Sequence, residues 1–298
     1  MYKILTVIVI LFFSGCTAFE IKEPLEGIDT GSSTISVNGV TRSYEYRLVS
    51  ENGTDLVIAL HGGGDSASSF EAYSKITDEV TGTKRFGVIY PEGINNHWND
   101  GRAESGSTAD DVRFIRDIIS RYEGRGYSKF YLIGMSNGGL MAQRMACEIP
   151  AELEGIVVIS ATQSTYLQTE CSSDTTALKS MFIFGDSDPI FSSDGRINPN
   201  RGTHIGMSAT AEYWLERNSC EDTMTLEKSL DDVDDDQTRV DFYRGDSCSK
   251  AFKYLDVVGG GHRWPDPSAQ NNLVITAIAG YASHEISTAK EMVSFFGL

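Results

Sequence analysis

The chain has 298 residues, a formal net charge of −17 at pH 7, and 40% hydrophobic, 10% aromatic and 22% charged residues. Such a composition can bury a large core, which excludes an intrinsically disordered protein. The acidic balance argues against nucleic acid as a partner, because phosphate binding needs an excess of Lys and Arg. It also argues against electrostatic docking on anionic lipid.

The first 15 residues have the layout of a secretory signal peptide. Lys3 supplies one positive charge, an apolar run extends over Ile4–Phe13, and two small residues then precede Cys16. The run is too short to be a stable membrane anchor. Its ending resembles a bacterial lipobox, in which Cys16 would be lipidated; an ordinary cleaved signal or an N-terminal anchor helix are the alternatives.

We therefore expect an exported lipoprotein at the periplasmic side, the outer membrane or the cell surface, or else a secreted protein. Removal of residues 1–15 takes away one Lys and no acid, so the mature charge becomes −18. Residues 16–33 are predicted to be a tether. Residues 34–298 are predicted to be one catalytic domain, since the sequence shows no internal repeat and no strong linker beyond the tether.

The rest of the chain alternates short apolar runs with helical stretches, which predicts an α/β fold with a mainly parallel sheet. The runs are continuously apolar, as in strands covered on both faces. Asn38-Gly39 predicts the turn of an antiparallel hairpin within Ser36–Val49. The predicted buried strands are 55–60, 86–90, 130–133, 156–159, 181–184 and 254–258. The predicted helices are one that begins at 108–111, where Thr108 can cap and Asp110 and Asp111 are expected to cap rather than catalyse, and others at 140–149, at 207–218 and from Ser287.

The segment Gly134-Met135-Ser136-Asn137-Gly138 fits the pattern G-x-S-x-G. It follows a predicted strand and precedes a predicted helix, which is the setting of a nucleophile elbow. The glycines allow the sharp turn that exposes the serine oxygen above the sheet. We therefore predict that Ser136 is a nucleophile, against the alternative of a glycine-rich turn with an exposed serine.

A serine nucleophile needs a histidine base, and the base needs an acid that fixes its tautomer. His262 follows a predicted strand in a glycine-rich loop, where ligand chemistry collects in an open α/β sheet. We therefore prefer it to His204 and His284. Asp186 and Asp188 both follow the strand at 181–184, and the physical argument does not separate them, since either can serve as the acid or cap the turn.

The tetrahedral intermediate of acyl transfer carries an oxyanion, which needs two backbone N–H donors. Asn137, directly after the nucleophile, is one predicted donor. The other is predicted in the loop His61-Gly62-Gly63-Gly64, with Gly63 preferred and Gly64 as the alternative. His61 is expected to be structural.

The chain resembles the α/β-hydrolases grouped as esterase/polyhydroxybutyrate depolymerase-like, close to feruloyl and acetylxylan esterases of carbohydrate esterase family 1. The resemblance implies an α/β-hydrolase fold with helices on both faces of the sheet. It also places the acid directly before a proline, which favours Asp188. The matching segments are Leu60-His61-Gly62-Gly63, Tyr90-Pro91-Glu92-Gly93, Trp98-Asn99-Asp100, Asp110-Asp111-Val112-Arg113-Phe114-Ile115, Gly134-Met135-Ser136-Asn137-Gly138-Gly139, Gly185-Asp186-Ser187-Asp188-Pro189 and Gly260-Gly261-His262-Arg263-Trp264-Pro265.

Trp98 and Trp264 are candidates for stacking on a substrate ring, with core packing as the equal alternative. The acidic run 231–236 lacks the spacing of a calcium loop and predicts a solvated loop between strands. We expect no metal and no cofactor. Four cysteines remain after Cys16, and an exported protein can form disulfides. Of three pairings, we favour Cys147–Cys171 and Cys220–Cys248.

Together these features predict an exported, lipid-anchored serine carboxylesterase acting on feruloyl- or acetyl-type esters of plant polysaccharide. A polyhydroxybutyrate or polyhydroxyalkanoate depolymerase is the second hypothesis. A serine peptidase and a non-catalytic binding lipoprotein follow. The expected partner is a small or polymer-borne ester, with membrane contact only through the lipid; the sequence leaves the oligomeric state open.

Overall fold

The structure, a computed structural model, describes residues 27–49, 53–171, 176–195, 202–221, 223–233 and 236–298. The strands in these residues are β1 (Ile28–Val37), β2 (Val40–Val49), β3 (Asp55–Leu60), β4 (Phe86–Pro91), β5 (Lys129–Met135), β6 (Gly155–Ile159), β7 (Lys179–Gly185), β8 (Met224–Leu230), β9 (Arg239–Gly245) and β10 (Phe252–Val258). The helices are α1 (Ala67–Ser74), α2 (Ile76–Thr83), α3 (Asp111–Glu123), α4 (Asn137–Glu148), α5 (Thr165–Glu170), α6 (Met207–Arg217), α7 (Leu273–Ala279) and α8 (Thr288–Phe296), with a 3₁₀ turn at Pro150–Glu152.

The described strands form one sheet in the order β1-β2-β4-β3-β5-β6-β7-β10-β9-β8. The six strands from β4 to β10 in this order are parallel to one another. The pair β1–β2 lies antiparallel at one edge and the pair β9–β8 at the other. The six parallel strands are the six buried runs predicted from the sequence, and the mainly parallel α/β architecture is confirmed.

Both faces of the sheet are buried at its central strands β3–β7, as continuous apolar strands require. In β3, Leu56, Ile58 and Leu60 pack in the core beneath α3, α4 and α6. The alternate residues Val57 and Ala59 pack in the core beneath α1, α2 and α8. All five of these side chains are buried. Because the strands are parallel, the loops that follow their carboxyl ends gather at one edge of the sheet.

Three predicted boundaries differ from the structure. Strand β1 begins at Ile28, so the sheet starts six residues before the predicted domain boundary at residue 34. Most side chains in the first half of β1 are polar and exposed, so the sequence shows no alternation of apolar and polar residues there. Helix α3 is capped by Asp110 and not by Thr108: the Asp110 carboxylate accepts from the Arg113 amide, and Asp111 opens the first turn. Helix α4 begins at Asn137, directly after the elbow. The signal peptide, Cys16 and most of the predicted tether lie outside the described residues.

Both predicted disulfides are confirmed. Cys147 is bonded to Cys171, which links the end of α4 to the end of α5. Cys220 is bonded to Cys248 across the antiparallel edge. They close loops of 24 and 28 residues, and in the chain-entropy view each destabilises the unfolded state by about 3–4 kcal/mol.

No helix within the described residues has both the length and the apolar character to cross a membrane.

A buried ion pair joins the edge hairpin to α3. Arg42 of β2 lies 2.7 Å from the Asp111 carboxylate, and both side chains are buried. The guanidinium also donates to the carbonyl oxygen of Glu92 at 3.0 Å and lies over the Phe114 ring, 4.1 Å from its centroid. Asp111 also accepts from the amide of Asn99 at 2.7 Å. This pair therefore fixes both the hairpin and the loop before α3.

Replacing Arg42 with Ala leaves the Asp111 carboxylate buried without its cation. We expect the free energy of unfolding to fall by about 3–5 kcal/mol, measured by urea unfolding followed by circular dichroism. The matched control is Arg113→Ala, because the Arg113–Asp117 pair lies on the surface and should contribute less than about 1 kcal/mol. Equal losses for the two variants would contradict this assignment.

Candidate active site

Ser136 lies between β5 and α4 with a backbone φ of 54°. A non-glycine residue in this region is strained by about 1–3 kcal/mol and persists only where the surroundings enforce it. Here the Ser136 amide donates to the carbonyl of Ile159 at 2.9 Å, and its own carbonyl accepts from the amide of Leu140 at 3.0 Å. These bonds tie the turn to the neighbouring strand β6 and to the first turn of α4.

The two outer glycines of the motif are required by backbone packing. A Cβ on Gly134 would lie 2.2 Å from the carbonyl oxygen of Gly138. A Cβ on Gly138 would lie 2.2 Å from the carbonyl oxygen of Leu60 at the end of β3. Any side chain at either position would push the elbow away from the sheet. The sequence expectation of a sharp strand–turn–helix connection is met in the structure.

His262 and Asp188 form a hydrogen-bonded, partly buried pair at the same edge. His262 Nδ1 lies 2.8 Å from Asp188 Oδ2, and the Asp188 side chain is fully buried. The other carboxylate oxygen accepts from the amides of Ile190 and Phe191 at 2.7 and 2.9 Å. With Asp188 accepting at Nδ1, the imidazole carries its proton there and keeps Nε2 as the basic nitrogen.

The backbone brings His262 towards the elbow through the end of β6. Ile159 accepts from Ser136, and the next residue, Ser160, donates its hydroxyl to the carbonyl of Arg263 at 3.1 Å. Arg263 directly follows His262. Ser136 follows β5, Asp188 follows β7 and His262 follows β10, so three loops at the carboxyl edge of the parallel sheet supply the three side chains.

The structure separates the two aspartates that the sequence left open. Asp188 contacts His262, whereas Asp186 accepts from the amide of Gly259 at 2.8 Å and from the hydroxyl of Ser187 at 3.0 Å. Asp186 therefore braces the loop that carries the histidine. Neither His204 nor His284 pairs with Asp188 in the described hydrogen bonds.

The loop after β3 is held by His61. Burial lowers the pKa of His61, and its neutral ring accepts from the Gly93 amide through Nε2 at 3.0 Å while Nδ1 donates to the Gly62 carbonyl at 2.8 Å. Because the peptide is planar and trans, the N–H of Gly63 points away from the carbonyl of Gly62. His61 thus orients the peptide that contains one predicted oxyanion donor.

The hydrogen bonds also distinguish Gly63 from Gly64. The Gly64 amide donates to the carbonyl of Asn96 at 2.8 Å. Within the described residues, the amides of Gly63 and Asn137 donate to no protein acceptor. A Cβ on Gly63 would lie 3.4 Å from the Cβ of Asn137, so the loop lies directly against the elbow. These two amides remain available for a substrate.

The Asn137 side chain is locked to the loop after β4. Its amide nitrogen donates to the carbonyl of Trp98 at 2.9 Å and to Asp100 Oδ2 at 2.6 Å, and its oxygen accepts from the amide of Trp98 at 2.7 Å. The Trp98 indole donates to the carbonyl of His61 at 2.9 Å. Trp98 therefore connects the supports of both predicted oxyanion donors.

Trp98 does not line a substrate pocket, in contrast to one of the two sequence hypotheses. It is fully buried, and its indole N–H donates to the His61 carbonyl, as a buried Trp requires. Trp264 does line a pocket, of about 420 Å³, together with Met135, the residue before Ser136. Its ring packs edge-on against Phe70 and Tyr73, with centroid distances of 5.3 and 6.1 Å.

Sequence reasoning missed a charged connection between the two halves of the site. The fully buried Asp100 accepts from Asn137 and from the Arg102 guanidinium through both carboxylate oxygens. Arg102 in turn donates to His204 Nε2 at 3.2 Å. The His204 ring packs on Phe191, at 4.6 Å between centroids, and Phe191 packs on His262 at 5.6 Å. The motif Trp98-Asn99-Asp100 marked this loop in the sequence without indicating the role of the carboxylate.

His97 is a second residue that the sequence argument passed over. Its ring lies beside the oxyanion loop: a Cβ on Gly63 would be 3.3 Å from His97 Nε2, and one on Gly106 would be 2.7 Å from its Cδ2. Nδ1 lies 2.8 Å from the carbonyl oxygen of Asn95. Its position directly before the segment Trp98-Asn99-Asp100 was the sequence signal that could have identified it.

No group of three or more His, Cys, Asp or Glu side chains in the described residues is arranged to hold a metal ion. The acidic run at 231–236 connects β8 to β9. In its described part, Asp236 is buried and accepts from the Thr238 amide and hydroxyl and from the His284 amide. The Asp236 carboxylate therefore stabilises the loop between β8 and β9 and ties it to the segment around His284.

No family model matches the chain. It is 24% identical over 296 residues to the curated protein named "Putative esterase NocK" of Nocardia uniformis subsp. tsuyamanensis, covering 92% of this chain and 84% of the relative. The solved structure of the acetyl xylan esterase from Aspergillus awamori matches 90% of this chain and 99% of its own, with a TM-score of 0.60 and 13% identity. A "predicted CIB-like hydrolase" from Thermoplasma acidophilum matches 91% and 97%, with a TM-score of 0.50 and 14% identity. The α/β-hydrolase fold and the resemblance to esterases are confirmed.

Proposed function

We propose that this α/β-hydrolase is a serine carboxylic-ester hydrolase. The observation that carries the proposal is that a strained Ser136 elbow and a hydrogen-bonded His262–Asp188 pair lie on loops at the same edge of the sheet. The similarity to a protein named as an esterase supports the same reaction class.

In the proposed reaction, His262 Nε2 takes the proton of the Ser136 hydroxyl while the oxygen attacks the ester carbonyl carbon. The amides of Gly63 and Asn137 stabilise the oxyanion of the tetrahedral intermediate. Its collapse breaks the bond to the alcohol, which leaves with the proton from His262. Water, deprotonated by His262, then attacks the acyl-enzyme and releases the acid, which restores Ser136. Asp188 keeps the imidazole in the required tautomer and stabilises its cation.

The substrate remains a proposal at the level of class. Feruloyl- or acetyl-type esters of plant polysaccharide rank first, by resemblance, and hydroxyalkanoate polyesters second. Methyl ferulate, acetylated xylan and hydroxybutyrate oligomers would rank these candidates by kcat/KM. A peptidase is tested by comparing the amide and the ester of one acyl group.

We expect a fluorophosphonate probe to label Ser136, and Ser136→Ala to abolish the labelling. Hydrolysis of p-nitrophenyl acetate should fall about 10⁴-fold or more in the variant, because no other group supplies the nucleophile. Mass spectrometry of the labelled peptide identifies the site. An unlabelled wild type that is as inert as Ser136→Ala would instead favour a non-catalytic binding protein.

The two aspartates of one loop provide a matched test of the acid. Asp188→Asn should lower kcat about 10⁴-fold, because the amide favours the wrong imidazole tautomer. Asp186→Asn should cost less than about tenfold, because Asp186 bonds the Gly259 amide and the Ser187 hydroxyl and thereby braces the loop. A larger loss from Asp186→Asn than from Asp188→Asn would reverse the assignment.

The charged connection yields a separate prediction. Asp100→Asn removes the anion that holds both Asn137 and Arg102, so the oxyanion peptide loses its fixed position. We expect kcat to fall about 10- to 100-fold while KM changes less than about threefold, since the support acts on the transition state. The control is Asp110→Asn, at an exposed helix cap where Asn serves as well as Asp. A loss confined to KM would contradict a role in oxyanion binding.

We also propose that the enzyme is exported and anchored through Cys16. The two disulfides support an oxidising compartment. Labelling of cells with an alkyne-tagged fatty acid should mark the wild-type protein, and Cys16→Ser should lose the tag and leave the membrane fraction. Equal membrane retention of the two would contradict the lipid anchor.

A further inference from the structure

Helix α7 is the least buried helix of the described residues, and its outer side is apolar. None of its residues is buried, and the exposed fractions of Leu273, Val274 and Ile278 are 85%, 68% and 70%. A helix of seven residues is too short to be stable in water by its own hydrogen bonds. Its position must therefore be set by contacts at its ends.

Those contacts come from the residues that carry the proposed base. The Arg263 guanidinium donates to the carbonyls of Gln270 and Gly280, at 2.8 and 3.3 Å, and so bridges the two ends of the segment. The His262 amide donates to the carbonyl of Ala279 at 2.7 Å. We call residues 270–280 the flap. The flap is thus bonded directly to the backbone of the catalytic histidine.

Beneath the flap lies the pocket of about 420 Å³. Ile275 of α7 forms one wall, and Trp264 and Met135 form others. Met135 directly precedes Ser136 and Arg263, which also lines the pocket, directly follows His262, so the chain neighbours of both proposed catalytic residues border the pocket. Its volume is within the range of pockets that enclose whole small ligands, and an acetyl group would leave most of it empty.

From this geometry we infer that the pocket and the flap bind the acyl part of the substrate. Among carboxylic esters, those with an extended apolar acyl chain are then preferred to the acetyl-type esters that the resemblance ranks first. This inference rests on the proposed function. The chain fills the pocket between Trp264 and Ile275, and its far end lies along the exposed apolar side of α7. Because the flap is bonded to His262, a chain bound there is aligned with the base.

The surroundings of α7 favour an acyl chain over a membrane surface. Helices that lie in a bilayer interface carry Lys and Arg on their polar side, but residues 264–289 contain neither. The net charge of −17 opposes approach to anionic lipid. A neutral apolar chain that enters a pocket beside Ser136 requires no such charges.

Each methylene that leaves water for an apolar pocket should raise kcat/KM about three- to fourfold until the pocket is full. The experiment compares p-nitrophenyl octanoate with p-nitrophenyl acetate, both below the concentration at which the octanoate aggregates. We expect the wild-type ratio of kcat/KM, octanoate over acetate, to be at least about tenfold. Ile275→Ser should lower this ratio about five- to tenfold.

Leu226→Ser is the matched control, since Leu226 is an equally apolar, half-exposed residue on edge strand β8, far along the sheet order from the site. It should leave the ratio unchanged. Ile278→Ser, on the open side of α7, should lower the ratio less than Ile275→Ser. Thermal unfolding should be the same for these variants, because none of the replaced side chains is buried.

A wild-type ratio near one, or an Ile275→Ser variant that loses both esters equally, overturns the inference and leaves the esterase proposal intact. A dimer that Ile278→Ser dissociates, or flotation with neutral vesicles that Leu273→Ser abolishes, also overturns it, because the apolar side would then serve another partner. If the wild type hydrolyses neither ester and Ser136 takes no label, the proposed function and the inference fail together.

Discussion

The positive φ of the Ser136 backbone is the constraint on which the rest of the structure depends. A non-glycine residue adopts this conformation only where the fold compensates for its strain. Here the compensation comes from close packing. Gly134 allows close contact with the carbonyl of Gly138, and Gly138 allows close contact with the carbonyl of Leu60. The carbonyl of Ile159, on the next strand, accepts from the Ser136 amide. Without the parallel sheet beneath it, nothing would offset the strain of this turn.

One buried carboxylate connects the two sides of this elbow. Asp100 holds Asn137, which carries a proposed oxyanion donor, and it holds Arg102, which leads through His204 and Phe191 to His262. Bidentate, charge-assisted bonds of this kind fix geometry as well as energy. The oxyanion side and the acid–base side are therefore positioned by a shared set of contacts, although they come from distant parts of the chain.

Three consecutive residues in the loop after β10, at positions 262–264, have three different roles. His262 meets Asp188, Arg263 bridges the ends of the flap, and Trp264 forms a wall of the pocket. The groups that we propose to recognise the acyl chain thus lie on the same loop as the proposed base. In such an arrangement, binding energy from the non-reacting part of a substrate can be used to orient the reacting bond.

The sequence by itself determined the six parallel strands, the elbow and the loop of His262, because each depends on local signals: a continuous apolar run, paired glycines, a turn that follows a strand. It did not decide between Asp186 and Asp188 until a family resemblance was added, because both lie in the loop that directly follows β7. It left open whether Trp98 is buried, and it missed the duties of Asp100 and His204 and the early start of β1. Asp100 bonds Asn137, which lies 37 residues away in the chain, and Arg102 bonds His204, which lies 102 residues away. The start of β1 depends on its pairing with β2. Only the tertiary structure decided them, because burial and hydrogen-bond partners are set by which strand ends the sheet brings together.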